Sequence, residues 1–298
     1  MFQRIMVALD GSSRAEGVLP YAVLLAGAYQ AQLCLVSVVD PGTLEGGPEH
    51  QDYLSQLAER AGSDAGKYLA PVAQRLRNQQ RSVQEQVVTG RPGETLTAHA
   101  EEAGADLIAM STHGHSGVGR WLFGSVTDQV LHLTRTPMLV IRPPARPAAE
   151  DPKLKTLVVP LDGSSLAEVV LPHARDLARR LGLRVILIRV LQTSVFAPGQ
   201  DIAPIPEEVL TDVEAGAEAY LAGVGQQFAG DGVAYETRVL RGPVAATLVD
   251  FARAEPNNLV AISTHGRSGV GRAVLGSVAD RLIRAGGDAV FVVRPQQV

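Results

Sequence analysis

The sequence predicts an α/β protein made of two tandem doubly wound, Rossmann-like domains. Each is a five-stranded parallel sheet with helices on both faces. Three observations predict it. The stretches Ser111–Val126 (STHGHSGVGRWLFGSV) and Ser263–Val278 (STHGRSGVGRAVLGSV) are identical at 12 of 16 positions and lie 152 residues apart. That offset holds across whole halves: Asp10 matches Asp162, Pro20 matches Pro172, Gly90 matches Gly242, Thr95 matches Thr247 and Arg142 matches Arg294. Within each half, short apolar runs alternate with segments of helical period, the pattern of a parallel sheet covered on both faces. A repeat this long is a duplicated domain and not a solenoid unit, and 298 residues hold two domains of ordinary size.

In the first half, RIMVALD (4–10) is an apolar run rich in branched residues, the mark of a strand buried on both faces. The helical segment SSRAEGVLPYAVLLAGAYQ follows, and Ser13-x-x-Glu16 reads as its capping box, repeated as Ser165-x-x-Glu168. The strand QLCLVSVVD and a long amphipathic helix within 51–80 come next, then the strand SVQEQVVTG, the helix GETLTAHAEEAG and the strand DLIAMST. A glycine-studded loop leads into the helix SVTDQVLHLTR, with Ser125 as its expected cap and Asp128 in the capping-box position, and PMLVIRP closes the half. Between the halves, RPPARPAAEDPKLK is rich in proline and charge and reads as a stiff exposed linker. The expected domains are 1–145 and 155–298, flanking a linker at 146–154.

Composition narrows the function classes. A net charge of −4 supplies no basic field for nucleic acid, and aromatics at 4% make a base-stacking surface for single strands improbable. The single cysteine, Cys34, excludes an intrachain disulfide and reads as a small buried strand residue, in keeping with a reducing compartment. No signal-peptide pattern opens the chain, and the best apolar stretch, VLPYAVLLAGAY, is too short to span a bilayer. The expectation is a cytoplasmic protein with neither nucleic-acid nor membrane partner.

The glycine loop carries the chemistry. It leaves the carboxyl end of a strand, where ligands bind in open α/β sheets. Gly114, Gly117 and Gly119 permit a tight path and let a ligand approach the peptide groups, while Gly124 and Ser125 open the next helix. Free N–H groups and the positive end of the helix dipole make an anion site there, with phosphate the natural guest. Walker A fails for want of a lysine, and the dinucleotide fingerprint fails because the order here is G-x-x-G-x-G after a later strand. A plain surface turn is the competing reading, weakened by the near-verbatim recurrence in two otherwise divergent halves.

At these residues the chain resembles the universal stress protein family, in its tandem form, over essentially its full length. Nucleotide-binding members of that family carry glycine, two residues, glycine, nine residues, then glycine followed by serine or threonine. Here the pattern falls on Ser111, Gly114, Gly124 and Ser125, and again on Ser263, Gly266, Gly276 and Ser277; both halves place serine where the family has its first glycine. The resemblance implies an ATP-binding regulatory protein of the stress response; the sequence itself offers no dedicated metal site, so Mg²⁺ is expected to arrive on the triphosphate. The resemblance also implies that Asp10 and Asp162 contact the adenine or ribose side, with capping of the following helix through DGSS as the competing role. Val38 and Val190 match the position whose backbone meets adenine, with ordinary core packing as the competing role, and Ala8 and Pro160 lie where base or ribose passes the first strand. The backbone N–H groups of Ser125–Val126 and Ser277–Val278 complete the phosphate cradle.

Within the loops, His113 and His265 lack the partners of a catalytic triad or metal site and read as loop organisers. Arg120 and Arg272 reach phosphate oxygens or stay solvated; Gly117 and Gly269 shape the turn. Turnover is not expected, since neither a lysine near the loop nor a metal-holding carboxylate pair is present. Two alternatives stand beside the ATP reading, a slow ATPase and a nucleotide-free scaffold. In the family the last strands, here PMLVIRP and AVFVVRP, pair between domains. The expected assembly is therefore an internal pseudo-dimer of the two halves, with homodimerisation of chains open; client proteins are not legible.

Overall fold

The apolar run after Arg4 becomes the central strand of the first unit. The computed structural model describes residues 2–43, 51–112, 124–142, 152–195, 203–266, 275–287 and 289–295. It divides into two units, Met1–Pro152 and Lys153–Val298. The first holds β1 (Arg4–Ala8), α1 (Leu19–Tyr29), β2 (Gln32–Val39), α2 (Gln51–Asn78), β3 (Val83–Thr89), α3 (Pro92–Glu102), β4 (Leu107–Ser111), α4 (Ser125–Leu133) and β5 (Met138–Ile141). The second opens with β6 (Thr156–Pro160), α5 (Ser165–Glu168), α6 (Leu171–Leu181) and β7 (Arg184–Leu191), followed by the two-residue strands β8 (Ser194–Val195) and β9 (Ala203–Pro204). It continues with α7 (Glu207–Gly230), β10 (Tyr235–Arg241), α8 (Val244–Ala254), β11 (Asn258–Ser263), α9 (Ser277–Ala285) and β12 (Ala289–Val293).

Strand order in the first unit is β3-β2-β1-β4-β5, and in the second β10-β7-β6-β11-β12, parallel throughout. Ile5 lies opposite Leu33 on one side and Leu107 on the other, and Leu157 opposite Val185 and Leu259. The chain winds outward from β1 to β3, then crosses back to β4 and β5. The order therefore reverses beside β1, and beside β6 in the second unit, which are the switch points where such sheets take ligands.

The cores follow the apolar runs. Ile5, Val7, Leu33, Leu35, Leu107 and Ile108 are fully buried, each contributing about 1.5–3 kcal/mol. Leu69, Val72, Ala73 and Leu76 form the buried stripe of α2, spaced at the helical period. The outer strand β3 differs from the central ones: Gln84, Glu85 and Gln86 are exposed, a polar row that discourages pairing at an edge. Cys34 is buried in β2, and burial raises its thiol above the usual range.

Three local expectations are corrected. The cap after β1 is Ser12, whose Oγ accepts from the Ala15 N–H at 3.0 Å, and its counterpart Ser164 accepts from Ala167. Ser13 and Ser165 do not hold this place, because the aspartate two residues before Ser12 or Ser164 orders that serine in an Asx turn. The expected single helix is also split. A 3-10 turn at Ala15–Val18 precedes α1, and α5 precedes α6. Pro20 and Pro172 sit in the first turn of α1 and α6, where a missing N–H costs nothing. Finally, Gly124 and Gly276 are the N-caps of α4 and α9, so Ser125 and Ser277 are first helical residues without a capping side chain. The β8–β9 pair, Ser194 opposite Pro204, is antiparallel and too short to leave a period in the sequence.

Candidate functional site

At the carboxyl end of β6 the chain keeps one more ladder bond, Leu161 N–H to the Ile188 carbonyl at 2.8 Å, and then turns at Asp162 and Gly163. The Asp162 Oδ1 accepts from the Ser164 N–H at 2.9 Å and its hydroxyl at 2.6 Å. Asp10 makes the same pair of bonds with Ser12, at 3.0 and 2.6 Å. Helix entry therefore engages one carboxylate oxygen in each unit. The second oxygen of Asp162 faces the glycine loop, where a Cβ on Gly266 would collide with it.

The loop itself is anchored at both ends. Beyond β11, Thr264 N–H donates to the Val293 carbonyl at 2.8 Å, Ser263 Oγ accepts from His265 N–H at 3.3 Å, and His265 Nδ1 lies 2.8 Å from Thr264 Oγ1. The return strand of the loop closes where Gly276 N–H meets the Thr264 carbonyl at 2.8 Å; Gly124 and Thr112 repeat this at 2.7 Å. A Cβ at Gly276 would lie 2.8 Å from that same carbonyl, and one at Gly124 2.7 Å from Thr112 O, so only glycine fits the closure. In unit 1 Thr127 Oγ1 adds a bond to the Ser111 carbonyl at 2.8 Å. The first intrahelical bond of α9 is Asp280 N–H to Gly276 O at 2.9 Å, so the N–H groups of Ser277, Val278 and Ala279 have no intrahelical acceptor. They point the positive end of the helix at the loop.

In the second unit these parts surround a cavity of about 680 Å³. Pro160, Asp162, Val190, Ser263, His265, Gly266, Gly276, Ser277 and Val278 all line it. In the first unit Ala8, Val38 and Ser111 sit at or near the carboxyl ends of β1, β2 and β4, Asp10 follows β1, and Gly124, Ser125 and Val126 open α4. All of these therefore occupy the corresponding sheet end. His113, Gly114, Gly117, Arg120, Gly269 and Arg272, like most of the linker, lie outside the described residues.

Several lining groups were not anticipated. Arg189 of β7 and Arg281 of α9 reach the cavity, as do Ile205, Val209, Leu210 and Val213 around the start of α7. Arg189 was hidden inside the run RVILIRVL, although a charge at the carboxyl end of a buried strand is itself a signal. Tyr220 is bonded at 2.8 Å to Glu168 beneath Arg189; the sequence offered the tyrosine only as a letter recurring at the 152-residue offset, and the glutamate as part of a capping box.

Fold and site together define a tandem doubly wound α/β protein whose second unit has a switch-point cavity bordered by Gly266, Gly276 and a helix N-terminus. The universal stress protein family model matches residues 1–142 and 153–294, and the chain belongs to that family. A universal stress protein of Mycolicibacterium smegmatis is 28% identical, over 98% of this chain and 97% of its own length. The universal stress protein YxiE of Bacillus subtilis is 29% identical across 48% of this chain and 100% of its own, consistent with a single repeat. The crystal structure of a universal stress protein from Archaeoglobus fulgidus covers 98% of both chains with a TM-score of 0.72 at 18% identity, a likeness of fold. Among the described residues no helix is long and apolar enough to cross a membrane.

Proposed function

We propose that this protein binds a nucleotide, ATP foremost, in a phosphate cradle in each unit, and acts in the stress response through its bound state and not through turnover. One observation carries the reading. Nine residues drawn from separate strands and loops, singled out by the repeated loop and by the family resemblance, line a single cavity in the second unit. Its volume, about 680 Å³, lies in the range of small-molecule sites. The cradle is built of backbone N–H groups at the start of α9, which suit phosphate. Asp162 is the sole carboxylate among the described lining residues, and its Oδ1 is already engaged by Ser164. A carboxylate at this place suits the hydroxyl and amino groups of a nucleoside. Mg²⁺ would be held by the triphosphate: among the described residues no three His, Cys, Asp or Glu side chains gather as a metal site.

Calorimetric titration of nucleotide-stripped protein with Mg-ATP tests this. Two sites per chain with micromolar Kd, about −8 kcal/mol each, are expected. Absence of heat together with absence of any thermal shift would overturn the ATP reading. Steady-state turnover above about 1 s⁻¹, the low end of ordinary enzymes, would overturn the regulatory one.

A further inference from the structure

The two units differ in the cation near their equivalent glutamates: unit 1 has an arginine on its long helix, and unit 2 has one on the strand that borders the cavity. In unit 1, Glu16 takes the Tyr68 hydroxyl at 3.3 Å and an ion pair from Arg75 of α2 at 2.9 Å. In unit 2, Glu168 takes the Tyr220 hydroxyl at 2.8 Å, but Gln227 stands where Arg75 would be. The arginine on this side of unit 2 is Arg189, whose guanidinium lies over the Tyr220 ring at 5.3 Å from its centroid. In unit 1 the place of Arg189 is taken by Ser37, a buried neutral residue.

The manner of holding matters. Stacking on an aromatic face fixes the plane of a guanidinium without engaging its N–H donors. Among the described residues no hydrogen bond or ion pair engages Arg189, and it lines the cavity beside Val190 and Asp162. Its fork is oriented, charged and unspent. Position then says which part of a ligand it meets. The cradle at α9 stands over β11, with β6 between it and β7. Two strand spacings, roughly 10 Å, separate the phosphate end from Arg189. A nucleotide seated by its phosphate at α9 therefore brings its base, and not a second phosphate, to β7.

We propose that Arg189 is a base-reading residue that gives the second unit a preference for guanine nucleotides. The inference rests on the nucleotide reading above. Guanine presents O6 and N7 as adjacent acceptors, which a guanidinium fork meets with two parallel bonds. Adenine presents N7 beside an amino donor, so one of those bonds is lost and a donor is set against a donor. Ser37, able to donate or accept, imposes no such preference in the first unit.

The experiment compares Mg-GTP and Mg-ATP by calorimetric titration of the full chain, as wild type, Arg189→Ser and Arg189→Lys. Serine is the residue at the equivalent place in unit 1, and lysine keeps the charge while removing the fork. In wild type, one site per chain is expected to bind GTP more tightly than ATP. Both substitutions should weaken GTP about tenfold or more at that site, within the discrimination of a good bidentate contact, while ATP changes by less than about twofold. If Arg189→Ser unfolds, as read by circular dichroism, Arg189→Lys carries the same comparison. ATP binding with no GTP binding, or a GTP-to-ATP ratio unchanged by both substitutions, overturns this inference and leaves the nucleotide reading intact. A lowered melting temperature with an unchanged ratio also overturns it, making Arg189 a packing partner of Tyr220. Absence of binding by either nucleotide overturns the nucleotide reading itself.

Discussion

Tyr220 donates its hydroxyl to Glu168 at 2.8 Å, joining the middle of α7 to the short helix that follows the switch-point strand. The Tyr68–Glu16 pair does the same 152 positions earlier, at 3.3 Å. Each bond ties the long outer helix to the turn that places Asp162 or Asp10. Burial and the neighbouring glutamate both push the two phenols well above the ordinary tyrosine range.

Tyr220→Phe removes that bond while keeping the ring. A destabilisation of about 1 kcal/mol is expected, toward the low end for a bond to a charged group because Glu168 is half-exposed. Tyr68→Phe should cost less, since Arg75 still holds Glu16. The pH dependence has a definite sign. With a folded pKa above the unfolded value near 10, the contribution is complete below pH 10 and is lost as pH rises beyond it. Urea titrations at pH 8 and pH 10.5 should show wild type losing stability that the double Phe variant does not lose. Parallel losses in both proteins would refute the linkage.

His173 supplies an acid-side counterpart. Its ring packs against Phe291 with centroids 5.6 Å apart, and its Nδ1 is buried without a hydrogen-bond partner among the described residues. Burial lowers its pKa, with Asp176 opposing in part. The unfolded chain therefore takes up the proton first. Stability is fully present above pH 6.5 and falls below it, by at most about 1.4 kcal/mol per pH unit. His173→Gln should flatten the stability profile between pH 6.5 and 5, and an unchanged slope would show that the acid sensitivity lies elsewhere.

What the sequence disclosed and what it hid have separate physical causes. Gly90 with Thr95, and Gly242 with Thr247, were legible as letters repeated at one offset. The structure supplies the reason: both glycines have positive φ, +148° and +142°, and a Cβ on either would strike the threonine hydroxyl. Sheets and helices were legible because their period is local, and glycine spacing is local too, so it marked Gly124 and Gly276 at the starts of α4 and α9. Arg189 was not, because a strand covered on both faces has no alternation to say which side chain looks into the cleft. Glu16 and Glu168 misled because a serine–glutamate spacing imitates a capping box, while their true partners, Tyr68 and Tyr220, lie 52 residues further on. The two-residue strands β8 and β9 fall below the length at which any period exists.

Gly266→Val tests the closeness of loop and switch-point aspartate. Any Cβ at this position runs into Asp162 Oδ2, and two further methyls would fill the mouth of the cavity. Calorimetric stoichiometry for Mg-ATP is expected to fall from two sites per chain to one, with circular dichroism unchanged because Gly266 lies outside the helices and strands. Retention of two sites would mean that the ligand does not pass between Gly266 and Asp162.

Bound nucleotide should also stabilise the fold by mass action. At a hundredfold excess over Kd each occupied unit gains about 2.7 kcal/mol. For units of about 150 residues that corresponds to a rise in Tm of roughly 5–10 °C. Differential scanning calorimetry with and without Mg-ATP is the check, because it resolves whether the units melt together or apart. Occupancy of both cradles moves every transition, whereas occupancy of one moves only the unit that holds it. The Gly266→Val chain then assigns the transitions: the one that no longer responds belongs to Lys153–Val298. If neither transition responds in wild type, the cavity holds something other than a nucleotide.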